Sequence, residues 1–349
     1  MKLRKLFPLL VIIILMTSVV PPFTAAQDDD EITIGFTSHA VGNPFIEQIF
    51  DGARAAADDL GVTLIEGGDP AGDPDVILQQ VQDLVAAGAD GIATSVPGES
   101  MANGLNEIIE DGTPVVQFNL LSTSVDAPYV GERSSQSGFI LGTAILEELG
   151  GEGFEGSAII GNCFPGFPVL ENRAAGVQAA LAAAEGLDVS GPFDVRVDAV
   201  ENYAQWEQLL AANPDVDAMI GLCAPDIASL GQLNEEFGAT FVAGGYDLTE
   251  DNLTAIEEGH AYVALGQSPF IQGYLSVLML VESIRNGTDL ELSFLDSGSQ
   301  VVTGGSVDMG FGLPELTFEE LIELSADPEA THEYYQPWID SVVDGGWQG

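Results

Sequence analysis

The sequence predicts an α/β protein made of two doubly wound parallel-sheet lobes. Strand-like and helix-like segments alternate with short connections from Glu31 to about Gly287. The alternation starts again near Ser157, so the chain holds two such units in series. Alternation at this spacing is typical of a parallel sheet with helices on both faces. Two units in series therefore predict two lobes with a cleft between them.

The first unit is predicted from hydrophobic periodicity. Apolar residues recur at helical spacing in Phe45–Leu60, and Gly61 follows where a helix C-cap is expected. The same spacing predicts helices over Asp75–Ala87 and Met101–Glu110. The strands predicted between them are Ile32–Thr37, Val62–Ile65, Gly91–Thr94 and Pro114–Phe118.

The second unit repeats the plan and is followed by a C-terminal extension. Its predicted strands are Ser157–Gly161, Phe193–Val197, Ala218–Leu222, Thr240–Gly244 and Ala261–Leu265. Its predicted helices are Leu170–Ala184, Tyr203–Ala212, Ala228–Phe237 and Leu253–Glu258. A long apolar helix, a return strand and two surface helices are predicted over Gln272–Arg285, Asp289–Thr303, Thr317–Leu324 and Glu333–Val343, respectively.

The N-terminus has the pattern of a cleaved export signal. Three basic residues precede the apolar stretch Leu6–Val20, and Thr24–Ala26 offers a small-residue cleavage site. The stretch is shorter than the roughly 20 residues that span a bilayer, which disfavours the alternative of a membrane anchor. With no cysteine at the cleavage site, a lipid anchor is not expected. We predict a signal over 1–26 and a periplasmic or extracellular protein.

The charge balance excludes several functions. The chain carries 55 acidic and eight basic residues, and no lysine follows Lys5. A phosphate-binding Walker loop and a pyridoxal Schiff base both require a lysine, and nucleic-acid binding requires a basic face. Strong negative charge favours either a protein of a salty medium, where screening relieves self-repulsion, or a soluble, aggregation-resistant exported protein.

Polar residues follow several strands of the predicted sheets. Asn43 and Ser95 come after the first and third predicted strands, Asn119 ends the next, and Asp247 follows Thr240–Gly244. Ligands of open parallel sheets bind beyond the carboxyl ends of the strands, so these residues are expected to converge. They contain no nucleophile–base pair. The pattern therefore indicates a binding site without catalytic residues.

Several segments together resemble a known family. They are Gly42–Ile46, Asp51–Ala53, Pro114–Asn119, Asn172–Gly176, Asn213–Val216, Gly245–Asp247 and Gly266–Gln267. In order and spacing they resemble the type I periplasmic sugar-binding proteins of ABC importers, the ribose-binding group in particular. The resemblance covers Ile32 to about Val302. It implies two Rossmann-like lobes joined by a three-stranded hinge. It also implies a sugar or polyol ligand and a membrane permease as partner. The protein would be a monomer without a cofactor and without enzyme activity.

The resemblance also implies lobe boundaries and ligand contacts. The first lobe would comprise 31–130 and 268–300, and the second 131–267 and 301–349 with the C-terminal extension. The hinge would lie near Gly131, Gln267 and Val301. The implied ligand contacts are hydrogen bonds from Asn43, Asn119, Arg173, Asp247 and Gln267, with the ring of Phe45 against a sugar face.

The chemistry of these residues suits a sugar. Planar side chains with two adjacent polar atoms match vicinal hydroxyls, and C–H faces pack on aromatic rings. Structural alternatives stay open: Asn43 as a turn residue, Asp247 as a helix cap, Arg173 as a surface residue and Gln267 as a hinge residue.

The chain also departs from the ribose-binding pattern. Ile46 stands where that group has a second aromatic residue, Asn119-Leu120 replaces an acid–arginine pair, and Cys223 begins a loop where an amide is expected. These departures predict a sugar-like pocket that is less ionic. Aromatic residues that could restore stacking on a ligand are Phe164, Phe167 and Trp206.

The two cysteines follow two strands of the second unit. In the strand order 2-1-3-4-5 the first and third strands are neighbours about 5 Å apart, which places Cys163 beside Cys223. Because an exported protein folds in an oxidising compartment, we predict a disulfide beside the cleft, with two buried free thiols as the alternative.

Other signals fail in their context. Gly151–Gly156 matches a dinucleotide-binding fingerprint but precedes a strand, and the three histidines lack partners at metal-binding spacing.

Two further functions compete with transport. One is a sensory binding protein for a chemoreceptor or kinase. The other is an exported glycoside-processing enzyme, which requires two opposed carboxylates, here Asp247 with Glu132 or Asp226.

Overall fold

The structure is a computed structural model that describes residues 32–238, 241–310 and 312–345, with side chains up to residue 342. The predicted export signal, 1–26, lies outside the described residues and stays a prediction.

Two sheets with flanking helices form two lobes. The first lobe contains β1 (Thr33–His39), α1 (Pro44–Leu60), β2 (Thr63–Asp69), α2 (Pro74–Ala86), β3 (Gly91–Thr94), α3 (Ala102–Glu110), β4 (Val115–Phe118), β5 (Tyr129–Gly131), α9 (Pro269–Asn286) and β11 (Phe294–Asp296). The second contains α4 (Ser134–Leu149), β6 (Glu155–Asn162), α5 (Pro168–Leu181), β7 (Gly186–Asp194), α6 (Ala199–Ala212), β8 (Ala218–Gly221), α7 (Asp226–Phe237), β9 (Val242–Tyr246), α8 (Glu250–Glu257), β10 (Val263–Gly266), β12 (Gln300–Thr303) and β13 (Ser306–Asp308). The C-terminal helices are α10 (Phe318–Ala326) and α11 (Pro328–Gly345).

The strand order confirms the predicted fold class. The first sheet runs β11-β5-β4-β3-β1-β2 and the second β13-β12-β10-β9-β8-β6-β7. Each contains the doubly wound order 2-1-3-4-5, with parallel pairing throughout that part. The chain passes between the lobes three times, after β5, after β10 and between β11 and β12. These three crossings form the hinge.

Several predicted elements differ from the structure. The helix α4 and the short strand β5 were not predicted. The strand β7 lies at Gly186–Asp194, largely before the predicted Phe193–Val197. A Gly-Pro pair at 191–192 argues against a strand, but β7 is an edge strand, where a missing N–H donor is tolerated. The single return strand predicted over Asp289–Thr303 is instead two strands, β11 and β12, in different sheets.

The C-terminal extension does not belong to one lobe. The prediction placed all of 301–349 with the second lobe, and α10 does pack against α8 there. The following helix, α11, packs instead against α1 and α9 of the first lobe. Its Tyr335 and Ile339 are buried in the same apolar cluster as those two helices. This placement corrects the prediction, because the buried face of α11 is complementary to the first lobe.

Buried apolar residues form a separate core in each lobe. The most deeply enclosed helix is α9, which is buried along most of its length between α1 and the first sheet. Among the described residues, no helix combines the length and apolar character that a membrane span requires.

The five arginines beyond the predicted signal are all engaged by nearby groups. The guanidinium of Arg285 donates to the carbonyl of Leu60. The others form ion pairs: Arg54 with Asp51 and Glu66, Arg133 with Asp296, Arg173 with Glu132, and Arg196 with Asp194. The chain carries 55 acidic residues, and within the described ranges most carboxylates have no cationic partner.

We therefore expect the melting temperature to rise with ionic strength, because salt screens repulsion among the uncompensated carboxylates. Calorimetry between dilute buffer and about 1 M sodium chloride measures the effect. The same series near pH 4 is the control, since partial protonation should shrink the effect there. A melting temperature that is indifferent to salt at neutral pH would contradict this expectation.

Candidate functional site

A cavity of about 320 Å³ lies between the two lobes, beyond the carboxyl ends of their strands. This volume is within the range of small-molecule sites, roughly 300–1,000 Å³. Six of the residues proposed as ligand contacts line it: Asn43, Phe45, Asn119, Arg173, Asp247 and Gln267. Three come from each side of the hinge, so a molecule in the cavity touches both lobes.

The first lobe contributes two amides and an aromatic ring. Asn43 is the N-cap of α1, and its Oδ1 accepts the backbone N–H of Phe45 at 2.9 Å. The amide nitrogen Nδ2 of this capping residue has no partner in the described part of the chain, so it remains available to a ligand. Asn119 directly follows β4 in a left-handed conformation (φ 56°), and its Nδ2 donates to Gln272 Oε1 at 3.2 Å. Asn43 is thus both a structural cap and a residue of the cleft wall.

Ser95 was predicted to contact the ligand, but it does not line the cavity. Its side chain is fully buried, and Oγ lies 3.0 Å from both the backbone nitrogen and Nδ1 of His39. The cavity wall at this position is His39. Ser95 therefore lies behind the wall, where its hydroxyl contacts His39, the last residue of β1.

Close packing of α4 against α5 positions Arg173. Gly138 and Gly176 face the opposing backbones, and a Cβ atom on either would lie about 2 Å from a carbonyl oxygen (2.1 Å from that of Arg173 and 2.2 Å from that of Ser135, respectively). Only glycine allows this approach. The start of α4 and the side chain of Arg173 are brought together as a result.

Arg173 is buried, with 4% of its surface exposed, and it is held on three sides. Its Nε donates to the carboxylate of Glu132, Nη1 donates to the carbonyl of Leu222 at 2.8 Å, and Cζ lies 3.9 Å from the ring centroid of Tyr246. Burial is the largest single effect and lowers the pKa of the guanidinium, but Glu132 together with Tyr246 and Asp247 raises the pKa overall. The Nη2 atom donates to no described residue, so it remains available to a ligand.

Asp247 and Gln267 form a second polar pair in the cavity. Gln267 Nε2 donates to Asp247 Oδ1 at 2.6 Å, and Oε1 of the same glutamine is buried without a partner among the described residues. Burial raises the pKa of Asp247 to about 6, although Arg173 and the Gln267 bond oppose this. The cap of α8 is Thr249, which removes the interpretation of Asp247 as a helix cap.

Aromatic rings and a disulfide border the second-lobe side. Phe164 and Phe167 line the cavity with their ring centroids 4.9 Å apart. Cys163 and Cys223 form a disulfide in the same wall. Trp206 does not belong to this wall, because its side chain is fully buried in the second-lobe core, where Nε1 donates to Asp226 at 2.9 Å. The predicted stacking role of Trp206 is therefore wrong.

Three residues important to the site were not predicted in their roles. Glu132 neutralises Arg173, Tyr246 lies against its guanidinium, and His39 lines the cleft. Glu132 follows the three-residue strand β5, which is too short to give a periodic signal. Its position directly after a strand of the predicted sheet order could have identified it.

The fold and the cleft define a two-lobed binding protein, and sequence comparison identifies its family. The profile of the family described as "Periplasmic binding protein domain" matches residues 34–288. The chain belongs to this family.

Similar proteins include several with named sugars. The xylose/arabinose-binding protein XylF of Sulfolobus acidocaldarius is 24% identical over 78% of this chain and 71% of its own. The ribose import binding protein RbsB of Haemophilus influenzae is 26% identical over 76% of this chain and 89% of its own. An ABC transporter solute-binding protein of Burkholderia graminis, solved with D-arabinose, is 25% identical with a TM-score of 0.74, covering 80% of this chain and 97% of its own.

Proposed function

We propose that this exported protein captures a small uncharged sugar or polyol between its lobes and delivers it to the membrane permease of an ABC importer. The observation that carries the proposal is the cleft itself. It presents amide, carboxyl and guanidinium groups from two lobes together with the aromatic rings of Phe45, Phe164 and Phe167. Such groups suit hydroxyl pairs and C–H faces. The named ligands of the similar proteins, which include ribose, xylose and arabinose, support the same class.

The charge of the cleft favours an uncharged ligand. Arg173 is the arginine of the wall, and Glu132 already compensates its charge. Asp247 is the only carboxylic acid among the described wall residues, so the wall has no excess positive charge to bind a sugar acid or sugar phosphate.

The same arrangement disfavours glycoside hydrolysis. That reaction needs two carboxyl groups on either side of the scissile bond. Glu132 is paired with Arg173, and Asp226 is fully buried in the core, accepting from Asn202 and Trp206. Neither is available to act with Asp247.

A ligand screen tests the proposal. Thermal shift and titration calorimetry with D-ribose, D-xylose, L-arabinose, D-glucose, D-galactose and their acidic derivatives should identify a neutral sugar. At a ligand concentration about 100 times Kd, stabilisation of about 2.7 kcal/mol is expected. Ligand-loaded protein should then stimulate the ATPase of its permease complex in proteoliposomes. Tight binding only of acidic sugars, or of none, would overturn the proposal.

We expect the affinity for the neutral sugar to increase as the pH rises through about 6, the pKa of Asp247. The ionised carboxylate accepts stronger, charge-assisted hydrogen bonds from hydroxyls, so binding should release a proton. Calorimetry from pH 5 to pH 7.5 measures Kd directly. The Asp247→Asn variant is the control: it should bind more weakly and show little dependence on pH. Wild-type affinity that stays constant over this range would exclude Asp247 as an acceptor.

A further inference from the structure

The side chains of His39 and Ser95 form a defined hydrogen-bonded unit at the cleft. The Ser95 hydroxyl must accept the backbone N–H of His39, because an N–H can only donate. Its own proton is then free to bond to Nδ1 of the imidazole, also at 3.0 Å. When the hydroxyl donates this proton to Nδ1, that atom is an acceptor, and the ring proton of the neutral imidazole then lies on Nε2. Burial lowers the pKa of His39 to about 4, which keeps the ring neutral at physiological pH.

From this geometry we infer that His39 is a further ligand-contacting residue, donating from Nε2–H to a hydroxyl oxygen of the sugar, and that Ser95 is its positioning residue. His39 lines the cavity, and Nε2 has no partner among the described residues. A neutral donor adds selectivity for an uncharged oxygen without attracting anions. The inference rests on the proposed function.

Two variants test this inference with the sugar that gives the largest thermal shift in the panel above. His39→Phe keeps a planar ring but removes the donor, and about a tenfold loss of affinity is expected. Ser95→Ala should weaken binding less. It should also change the ¹⁵N spectrum of His39 from the Nε2–H tautomer to a mixture, which a merely structural role would not do.

The outcomes are separable. Wild-type affinity in His39→Phe, or a wild-type spectrum showing the Nδ1–H tautomer, would overturn the role of His39 while leaving sugar binding intact. Failure of the wild-type protein to bind any sugar would overturn the proposed function and this inference together.

A separate observation concerns the C-terminal helices α10 and α11, which we call the C-terminal strap. Leu321 of α10 is buried with Leu253 and Val302 of the second lobe, whereas α11 packs on the first lobe. Nε2 of His332 in α11 also lies 2.9 Å from Oδ2 of Asp59 in α1. A single residue, Asp327, separates the two helices. The family match ends at residue 288, before either helix begins.

The strap also contacts two of the three hinge crossings. Tyr335 accepts a hydrogen bond from Gln300 Nε2 at 2.9 Å, and Gln300 begins β12, just after the third crossing. The ring of Tyr335 lies nearly parallel to that of Phe270, at 8° with centroids 6.0 Å apart, just after the second crossing. One continuous segment therefore joins both lobes beside the hinge.

We propose that the C-terminal strap limits how far the lobes open. In the structure both lobes line one cavity; α10 packs on the second lobe, and α11 packs on the first lobe while its Tyr335 also bonds to Gln300 of β12. An opening that moved α8 away from α1 would be resisted by the connection of one residue between α10 and α11. The strap thus restrains the ligand-free protein near the closed arrangement and slows ligand release.

An insertion tests the strap without removing either helix. Eight Gly/Ser residues inserted at Asp327, combined with Tyr335→Phe, lengthen the connection and break the bond to Gln300. The matched control places the same linker in the exposed loop at Gly153. Small-angle scattering should show a larger radius of gyration for the ligand-free insertion variant, with ligand release several times faster in stopped-flow measurements. A radius and release rate equal to those of the control would overturn the proposal. A larger radius would support it even if no sugar bound.

Discussion

Replacing Arg173 by methionine is expected to weaken sugar binding ten- to a hundredfold and to destabilise the ligand-free protein as well. Loss of a charged donor to a bound ligand costs about 1.5–3 kcal/mol. The substitution also leaves the buried carboxylate of Glu132 without its cation, and breaking a buried ion pair in this way costs about 3–5 kcal/mol. Glu132 Oε2 already has no partner among the described residues. Calorimetric titration and chemical denaturation measure the two effects separately.

The double variant Glu132→Met/Arg173→Met is the matched control. Replacing both partners of a buried pair by apolar residues of similar volume is often neutral or stabilising. The double variant should therefore regain stability while still failing to bind the sugar. If Arg173→Met alone bound the sugar like wild type, Arg173 would be a structural partner of Glu132 and the site assignment would be wrong.

Reduction of the Cys163–Cys223 disulfide is expected to lower the free energy of unfolding by about 4 kcal/mol. The disulfide links residues separated by 60 positions, and the chain-entropy model gives about this value for such a loop. For a protein of this size the melting temperature should fall by on the order of 10 °C. Calorimetry with and without reductant measures the change.

The double variant Cys163→Ala/Cys223→Ala separates the disulfide from nonspecific effects of the reductant, because its melting temperature should not respond to reductant. Ligand affinity should also fall on reduction of wild type, since both cysteines lie in the cleft wall beside Phe164. Two free thiols found by alkylation in unreduced wild type would contradict the disulfide.

Much of the fold was predictable because helix caps, turns and apolar periodicity are encoded in short segments of sequence. The helix α1 begins with a capping asparagine and a proline, ends at Gly61 and carries a regular apolar face, so its bounds were predicted closely. The strand β7 was misplaced because its edge position, which makes Pro192 tolerable, depends on the order of strands in the sheet. The strand β5 was missed because three residues give no periodicity.

The candidate site was predictable to a similar extent. The residues after β4 and β9, Asn119 and Asp247, were found from the rule that ligands bind at strand ends, and both line the cavity. Ser95 satisfied the same rule but lies behind the wall, and Trp206, which was named only as an aromatic residue that could stack on a ligand, lies in the core. Residue type and strand position do not specify which way a side chain faces once neighbouring loops are packed.

The sequence alone determined the two-lobed α/β class, the exclusion of lysine-dependent chemistry and several residues of the cleft, because periodicity, caps, composition and local motifs are properties of short segments. Tertiary structure decided three further features: that Glu132 neutralises Arg173, that Ser95 holds His39, and that the last helix packs on the first lobe. These contacts join residues that are 41 and 56 positions apart and helices from the two ends of the described chain. Their physical basis is complementarity of charge and shape between distant segments, which exists only after the chain has folded.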